Sequence, residues 1–118
     1  MPNTDTLDLL RGTFNLLILK TVSWGPMHGL AILRWIEQST EARLQIEEGA
    51  LYPALHRMEQ AGWLLAEWGY TDQNRHAKFY RLSAAGRRQF AAERSKWARY
   101  AQAVEMVLCA PRTMAADQ

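Results

Sequence analysis

Apolar residues in the first part of the chain recur at spacings of three and four, the period of an α-helix with one buried face. Residues 9–22 show this pattern at Leu10, Phe14, Leu17 and Ile18, and they predict a first helix. Further leucines lie outside this stripe, so we expect the helix to pack on two sides.

A second helix is predicted over residues 27–39, because leucine and isoleucine recur there at helical spacing with charged residues opposite them. The next apolar pattern, over residues 44–46, alternates with a period of two. It covers too few positions to predict more than a very short strand.

A third helix is predicted to begin with the acids Glu47 and Glu48 and to end near Ala61, before Gly62. We expect Pro53 in its first turn, where a missing N–H costs no hydrogen bond. The inward stripe consists of Leu51, Leu55 and Met58. The outer face carries Ala50, Tyr52, Pro53, His56, Arg57 and Gln60.

Aromatic and branched residues with a partial period of two occupy residues 63–70 and 78–82, on either side of the polar stretch 71–77. This pattern predicts a β-hairpin with a polar loop. We expect Trp63 and Trp68 to pack against the core or within the hairpin.

A long helix is predicted from Ser83 to the residue before Pro111, with a length of about 40 Å at 1.5 Å per residue. One of its stripes has the spacing of a helix-packing seam and therefore needs a partner surface. The seam consists of Phe90, Arg94, Trp97, Ala101, Val104 and Leu108. We divide the chain into a helical and hairpin domain (residues 1–83), a dimerisation helix (84–110) and a flexible tail (111–118).

The composition is that of one compact domain, with 118 residues, 48% of them hydrophobic and 22% charged. The formal net charge of +2 hides an uneven distribution. Residues 71–100 carry eight lysines and arginines against two acids, whereas residues 1–70 carry five against eight. A basic segment of this kind faces nucleic acid, an anionic membrane surface or only solvent.

Several classes of protein are disfavoured. Cys109 is the single cysteine and can form no internal disulfide, and no apolar run approaches the roughly 20 residues of a membrane span. We therefore expect a cytoplasmic protein with no membrane segment. His28, His56 and His76 lie on three different predicted elements without metal-ligand spacing, and no catalytic motif is present. Neither a metal, nor a cofactor, nor an enzymatic activity is expected.

Three helices, a hairpin and a long final helix follow the order of a winged helix-turn-helix with a C-terminal extension, a mainly α fold with a small β-hairpin. In that architecture the third helix lies in the major groove of DNA and the hairpin loop contacts the DNA backbone or minor groove. The alternative is that the exposed residues of the third helix and the hairpin loop only face solvent. The candidate DNA-binding residues are Tyr52, Pro53, His56, Arg57, Arg75, His76 and Lys78.

Three separated runs carry a more specific pattern: HGLAI at 28–32, GALYPALHRMEQAGWL at 49–64 and NRHAKFYRLSAAGRRQF at 74–90. They resemble the motifs of the PadR family of bacterial transcriptional regulators, in the same order and with the same gaps. The resemblance covers about residues 9–108.

The resemblance implies a homodimeric winged-helix repressor of the small subgroup with one C-terminal helix, joined through its first and last helices. Some members of that subgroup bind flat aromatic drugs or phenolic compounds in the dimer interface, where a tryptophan of the last helix lines the pocket. Trp97 falls at the matching position, where it serves dimer packing, ligand stacking or both. The candidate residues for the interface and for an effector are Phe90, Trp97, Ala101, Val104 and Leu108.

Two functions are open at this point. The first is a dimeric regulator that occupies an inverted-repeat operator in double-stranded DNA, represses by occupancy and is released by a small aromatic effector. The second is a winged-helix protein-interaction module whose basic hairpin is only solvated. A steep loss of affinity for duplex DNA with rising salt is expected of the first and not of the second.

Overall fold

The structure, a computed structural model, describes residues 12–112. In chain order its elements are α1 (Thr13–Val22), β1 (Met27–His28), α2 (Gly29–Ser39), α3 (Glu48–Gln60), β2 (Leu64–Tyr70), β3 (His76–Leu82) and α4 (Ala84–Leu108). The predicted start of the first helix, including Leu10, and residues 113–118 of the predicted tail lie outside the described residues. The mainly α fold with a small antiparallel sheet is the predicted fold class.

The core lies where α1, α2 and α3 meet the inner face of the hairpin. The inward stripe predicted for α3 is fully buried there. In α1, Leu19 is buried together with Ile18, which is the two-sided packing expected of this leucine-rich helix. The buried apolar side chains are Ile18, Leu19, Val22, Ile32, Leu33, Ile36, Ile46, Leu51, Ala54, Leu55, Met58, Leu64, Tyr80 and Leu82.

The sheet obtains its third strand from an unexpected segment. β1 pairs antiparallel with β3, with Met27 opposite Tyr80 and His28 opposite Phe79, and the strand order is β1-β3-β2. The prediction that Met27 begins the second helix is therefore wrong. α2 begins two residues later, and the His28 side chain caps it by accepting a hydrogen bond from the Ala31 N–H.

Residues 44–46, for which at most a very short strand is predicted, contain only an isolated β-bridge at Leu44, and Ile46 turns into the core. The prediction for Pro53 is wrong. Pro53 lies in the second helical turn, because α3 begins at Glu48. It therefore cannot donate to the Gly49 carbonyl, but Gly49 is exposed, so water can take the place of the missing N–H.

α4 is fixed to the rest of the molecule at its first two turns. The Ser83 hydroxyl accepts a hydrogen bond from the Gly86 N–H at 2.9 Å and donates one to the Gly62 carbonyl, just after α3. Gly86 is buried, and a Cβ atom at this position would overlap the Trp63 carbonyl oxygen. Beyond Phe90 the helix leaves the core, and the described chain reaches 64 Å in its longest dimension.

Candidate nucleic-acid interface

The outer face of α3 is free of contacts with the core, as predicted. Its buried side is apolar, so the polar residues are left to face solvent. The N-terminal turn carries the exposed acids Glu47 and Glu48, which would repel phosphates. The part of this face that can contact a phosphate therefore begins only in the middle of the helix. The exposed residues there are Tyr52, Pro53, His56, Arg57 and Gln60.

Tyr52 has both a packed and an exposed side. Its ring lies against the first residue of α2, where a Cβ atom added to Gly29 would be only 2.7 Å from Tyr52 Cε1. The side chain is nevertheless 47% exposed. The absence of a side chain at Gly29 thus lets α2 hold the tyrosine ring in place while part of it faces solvent.

The loop between β2 and β3, residues 71–75, is closed by hydrogen bonds between its two ends. The Thr71 N–H donates to the Arg75 carbonyl at 2.8 Å, and the Arg75 N–H donates to Thr71 Oγ1 at 3.1 Å. Asn74 takes up a left-handed conformation with φ of 60°, which asparagine tolerates better than most residues. These constraints fix the backbone that presents the exposed Arg75 side chain.

The second strand of the hairpin begins earlier than predicted. His76, expected in the polar stretch, belongs to β3 opposite Tyr70, and Lys78 lies in the same strand, as predicted, opposite Trp68. The loop is shorter than predicted because aromatic pairing continues past the sequence pattern that suggested its end. Of the three candidate residues Arg75, His76 and Lys78, only Arg75 is at the loop itself.

Lys78 is already engaged within the chain. Its ammonium group lies 2.9 Å from a carboxylate oxygen of Glu59, near the end of α3. The hydrogen bond to Glu59 raises the pKa of Lys78 above its usual value. Burial raises the pKa of the neighbouring Tyr80. The ion pair joins the hairpin to α3 and partly neutralises the charge that Lys78 would offer to a phosphate.

A cleft of about 350 Å³ lies between the start of α2, α3 and the hairpin loop. It contains two arginines and two histidines, and its described lining includes no acid, so its charge suits an anion. Arg34, on the exposed side of α2, was not singled out from the sequence. No local pattern could have indicated it, because the hairpin residues that share the cleft with Arg34 are distant from it in the chain. The lining residues are His28, Leu30, Arg34, Tyr52, Thr71, Gln73, Arg75, His76 and Ala77.

Three aromatic rings lie together on the hairpin beside this cleft. Trp68 stacks on His76 with ring centroids 4.8 Å apart, and Tyr70 lies 5.3 Å from the same imidazole. Trp63 packs against the core as predicted, but Trp68 is 62% exposed. Trp68 thus packs within the hairpin, one of the two predicted surroundings, and it stays largely exposed because the hairpin extends beyond the core at this point.

Other kinds of site receive no support from the described residues. Within residues 12–112, no group of three or more histidine, cysteine, aspartate or glutamate side chains is arranged to hold a metal ion. In the same range, no helix is long and apolar enough to cross a membrane.

Comparison with known families decides the class of protein. A model of the transcriptional regulator PadR-like family matches residues 18–92, which include α2, α3, the hairpin and the first turns of α4. The chain belongs to the PadR-like family. This membership confirms the predicted family, and it places the chain among DNA-binding transcriptional regulators rather than enzymes.

Solved structures share the fold of this PadR-like chain. A PadR family transcriptional regulator from Eggerthella lenta is 27% identical with a TM-score of 0.74, and the match covers 86% of each chain. A PadR-like transcriptional regulator from Bacillus cereus is 20% identical with a TM-score of 0.75, covering 86% of this chain and 97% of the other. An uncharacterised protein from Lysinibacillus sphaericus is 24% identical over 101 residues, covering 86% of this chain and 93% of the relative.

The seam predicted on α4 of this PadR-like chain is divided between two surroundings. Phe90 is half-buried and packs against the core. Further along, Trp97 is 38% exposed and inclined towards Tyr100, with ring centroids 6.1 Å apart, and Leu108 is 71% exposed. Ala101 is half-buried and Val104 exposed. The residues from Trp97 to Leu108 therefore form an apolar stripe that the rest of residues 12–112 leaves largely uncovered.

Proposed function

We propose that this PadR-like chain is a cytoplasmic, homodimeric repressor that occupies an inverted-repeat operator in double-stranded DNA. The observation that carries the proposal is the position of the exposed α3 face beside a cleft lined by Arg34 and Arg75. In a winged helix these two surfaces contact the major groove and the adjoining backbone. A dimer would bind two half-sites about one helical turn apart.

The candidate residues divide by the contact that each can make. Tyr52, His56 and Arg57 have hydrogen-bonding groups on the exposed face of α3 and are assigned to the major groove, where Pro53 supplies only apolar contact. Arg34 and Arg75 are assigned to phosphates on either side of the cleft, with His76 between them at the hairpin.

The salt dependence of duplex binding tests this assignment. Each phosphate contact releases counterions, so the affinity of the wild type should fall steeply as salt rises. Arg75→Ala should lower the slope of log K against log salt by about one. Lys78→Ala should lower it less, since Lys78 already pairs with Glu59. The measurement is fluorescence anisotropy of a labelled duplex from the region upstream of the protein's own gene.

The matched control is Arg99→Ala, which removes the same charge from the far part of α4, where Arg99 Nη1 donates only to Ser95. This variant should keep the wild-type slope. If the wild type does not bind duplex DNA even at low salt, the regulator proposal fails. A winged-helix module for protein interaction then becomes the better description.

The second part of the proposal concerns α4. The exposed stripe of Trp97, Ala101, Val104 and Leu108 is assigned to the dimer interface, continuous with Phe90 in the core. An aromatic effector that stacks on Trp97 would release DNA by favouring a different separation of the two α3 helices. Such a population shift requires that the effector bind the two states with different affinities.

Trp97→Ala separates packing from sensing. Loss of the dimer in analytical ultracentrifugation would assign Trp97 to packing, whereas an intact dimer that no longer responds to flat aromatic compounds would assign it to sensing. Met106→Ala is the control, because Met106 is exposed on the opposite side of α4. Wild-type dimerisation and wild-type response in the Trp97 variant would contradict the proposal for this residue.

A further inference from the structure

The exposed aromatic rings of the hairpin lie where alternation would place core residues. Leu64, Ala66, Trp68 and Tyr70 share one face of β2, and Leu64 is buried. Further along, the part of the chain that the structure describes leaves the same face largely open: Trp68 is 62% exposed and Tyr70 is 68% exposed. Together with His76, these residues form an aromatic stack that is ordered by its own ring contacts but is not covered.

The orientation of this stack relative to α3 follows from the strand register. Lys78 lies directly opposite Trp68, so the two side chains share a face of the hairpin. Lys78 reaches Glu59 near the end of α3 from that face. The aromatic stack is therefore on the side of the hairpin that faces α3.

The stack is also continuous with the cationic cleft. His76 contributes to both, and it follows Arg75 in the chain. The flat apolar surface thus begins where the positively charged surface ends. A ligand that matches both needs regularly spaced negative charges next to flat apolar groups, and a nucleic acid has this combination in its phosphates, sugars and bases.

We propose that Trp68, His76 and Tyr70 form a second DNA contact through their aromatic faces, which packs against sugars and base edges in the minor groove of duplex DNA. Apolar side chains inserted in this way hold the duplex without reading its sequence and unstack a base step. This inference rests on the regulator function proposed above. It assigns to the hairpin a contact that is independent of its arginine.

The test separates the two kinds of contact by their response to salt. The probe is a fluorescein-labelled duplex of mixed sequence, about 30 base pairs long, which accommodates two half-sites one turn apart. Trp68→Ala should weaken binding about tenfold with an unchanged slope of log K against log salt, since no counterion is released at an apolar contact. Trp68→Phe, which keeps an aromatic face, should recover most of the affinity.

Leu65→Ala is the matched control, because Leu65 is a large exposed residue on the opposite face of the same strand. It should bind DNA like the wild type. A 2-aminopurine base placed in the minor-groove flank should brighten on binding of the wild type and not of Trp68→Ala, which reports the unstacked step.

Three results would overturn the inference. Wild-type affinity of Trp68→Ala would show that the stack does not contact DNA. A weakened affinity accompanied by a lower salt slope would show that Trp68 only holds the hairpin, and with it Arg75, in place. A changed sedimentation coefficient with unchanged DNA binding would assign the stack to contact between chains. If the wild type itself fails to bind the duplex at low salt, the regulator function fails along with the stack.

Discussion

The two ends of α4 differ in what surrounds the same kind of side chain. Near its start, Gly86 and Phe90 are packed by the hairpin and the core of their own chain. Near its end, the large apolar residues remain exposed, with Leu108 at 71%. Burial of apolar area stabilises a fold only where something covers it. The folded state of one chain is therefore stabilised by the first part of α4, whereas the far part would contribute only in the proposed dimer.

The largest expected effect comes from comparing a leucine of the core, in α3, with a leucine at the uncovered end of α4. Leu55→Ala should lower the free energy of unfolding by about 2–5 kcal/mol, because Leu55 is fully buried and its removal leaves a cavity. Leu108→Ala should change it by less than about 0.5 kcal/mol in dilute protein. It should instead raise the dissociation constant of the dimer. Urea denaturation and sedimentation measure the two quantities, and equal destabilisation by both variants would contradict the comparison.

Gly86→Ala should have the next largest effect. The added Cβ atom meets the backbone oxygen of Trp63, which cannot turn away as a side chain can. We expect a loss of about 1–3 kcal/mol in the free energy of unfolding, since overpacking forces the backbone to shift. Gly49→Ala is the control, because nothing lies within 4 Å of a Cβ atom there. Thermal unfolding compares the two, and equal midpoints would show that α4 is not fixed at Gly86.

Gly29→Ala should affect DNA binding more than folding. Its Cβ atom would displace the ring of Tyr52, a half-exposed side chain that can move away from α2. Folding should change by less than about 1 kcal/mol, as the greater helix propensity of alanine offsets part of the strain. Duplex affinity should fall in anisotropy measurements if Tyr52 faces the groove. Unchanged affinity would assign Tyr52 to packing alone.

The smallest effect concerns the ion pair between hairpin and α3. Because Glu59 raises the pKa of Lys78 above its ordinary 10.5, the stabilisation is complete below pH 10.5 and disappears as the pH rises through the folded-state pKa. The difference in melting temperature between wild type and Glu59→Gln should therefore be small near neutral pH and absent at about pH 12. Besides burial, the charge of Glu59 raises the pKa of Tyr80, so ionisation of Tyr80 disfavours the wild type and does not widen the difference at high pH. A difference in melting temperature that grows at high pH would be inconsistent with an ion pair between Lys78 and Glu59.

Much of the fold follows from local patterns in the sequence. The helical period correctly predicted which residues of α3 are buried and which are exposed, because facing on a helix depends only on near neighbours. Ser83, predicted as the start of the last helix, is the residue that caps α4 in the structure. The motifs at 28–32, 49–64 and 74–90 correctly predicted the family.

Features that depend on distant partners could not be predicted in this way. The two-residue strand β1 exists only because Met27 and His28 meet β3 some 50 residues later. The ion pair of Lys78 could not be predicted either, because nothing near this residue in the chain indicates Glu59. Alternation along β2 places Trp68 on the same face as the buried Leu64. It could not show that the core ends before reaching it.

The hydroxyl of Ser83 has a mechanical consequence. It joins the end of α3, through Gly62, to the start of α4, through Gly86. We therefore expect the two helices to rotate together. The 25 residues of α4 form a lever arm, and a tilt of about 5° moves its far end by roughly 3 Å at a rise of 1.5 Å per residue. In the proposed dimer, a small change in the angle between the two α4 helices would thus move the two α3 helices relative to each other without bending either subunit.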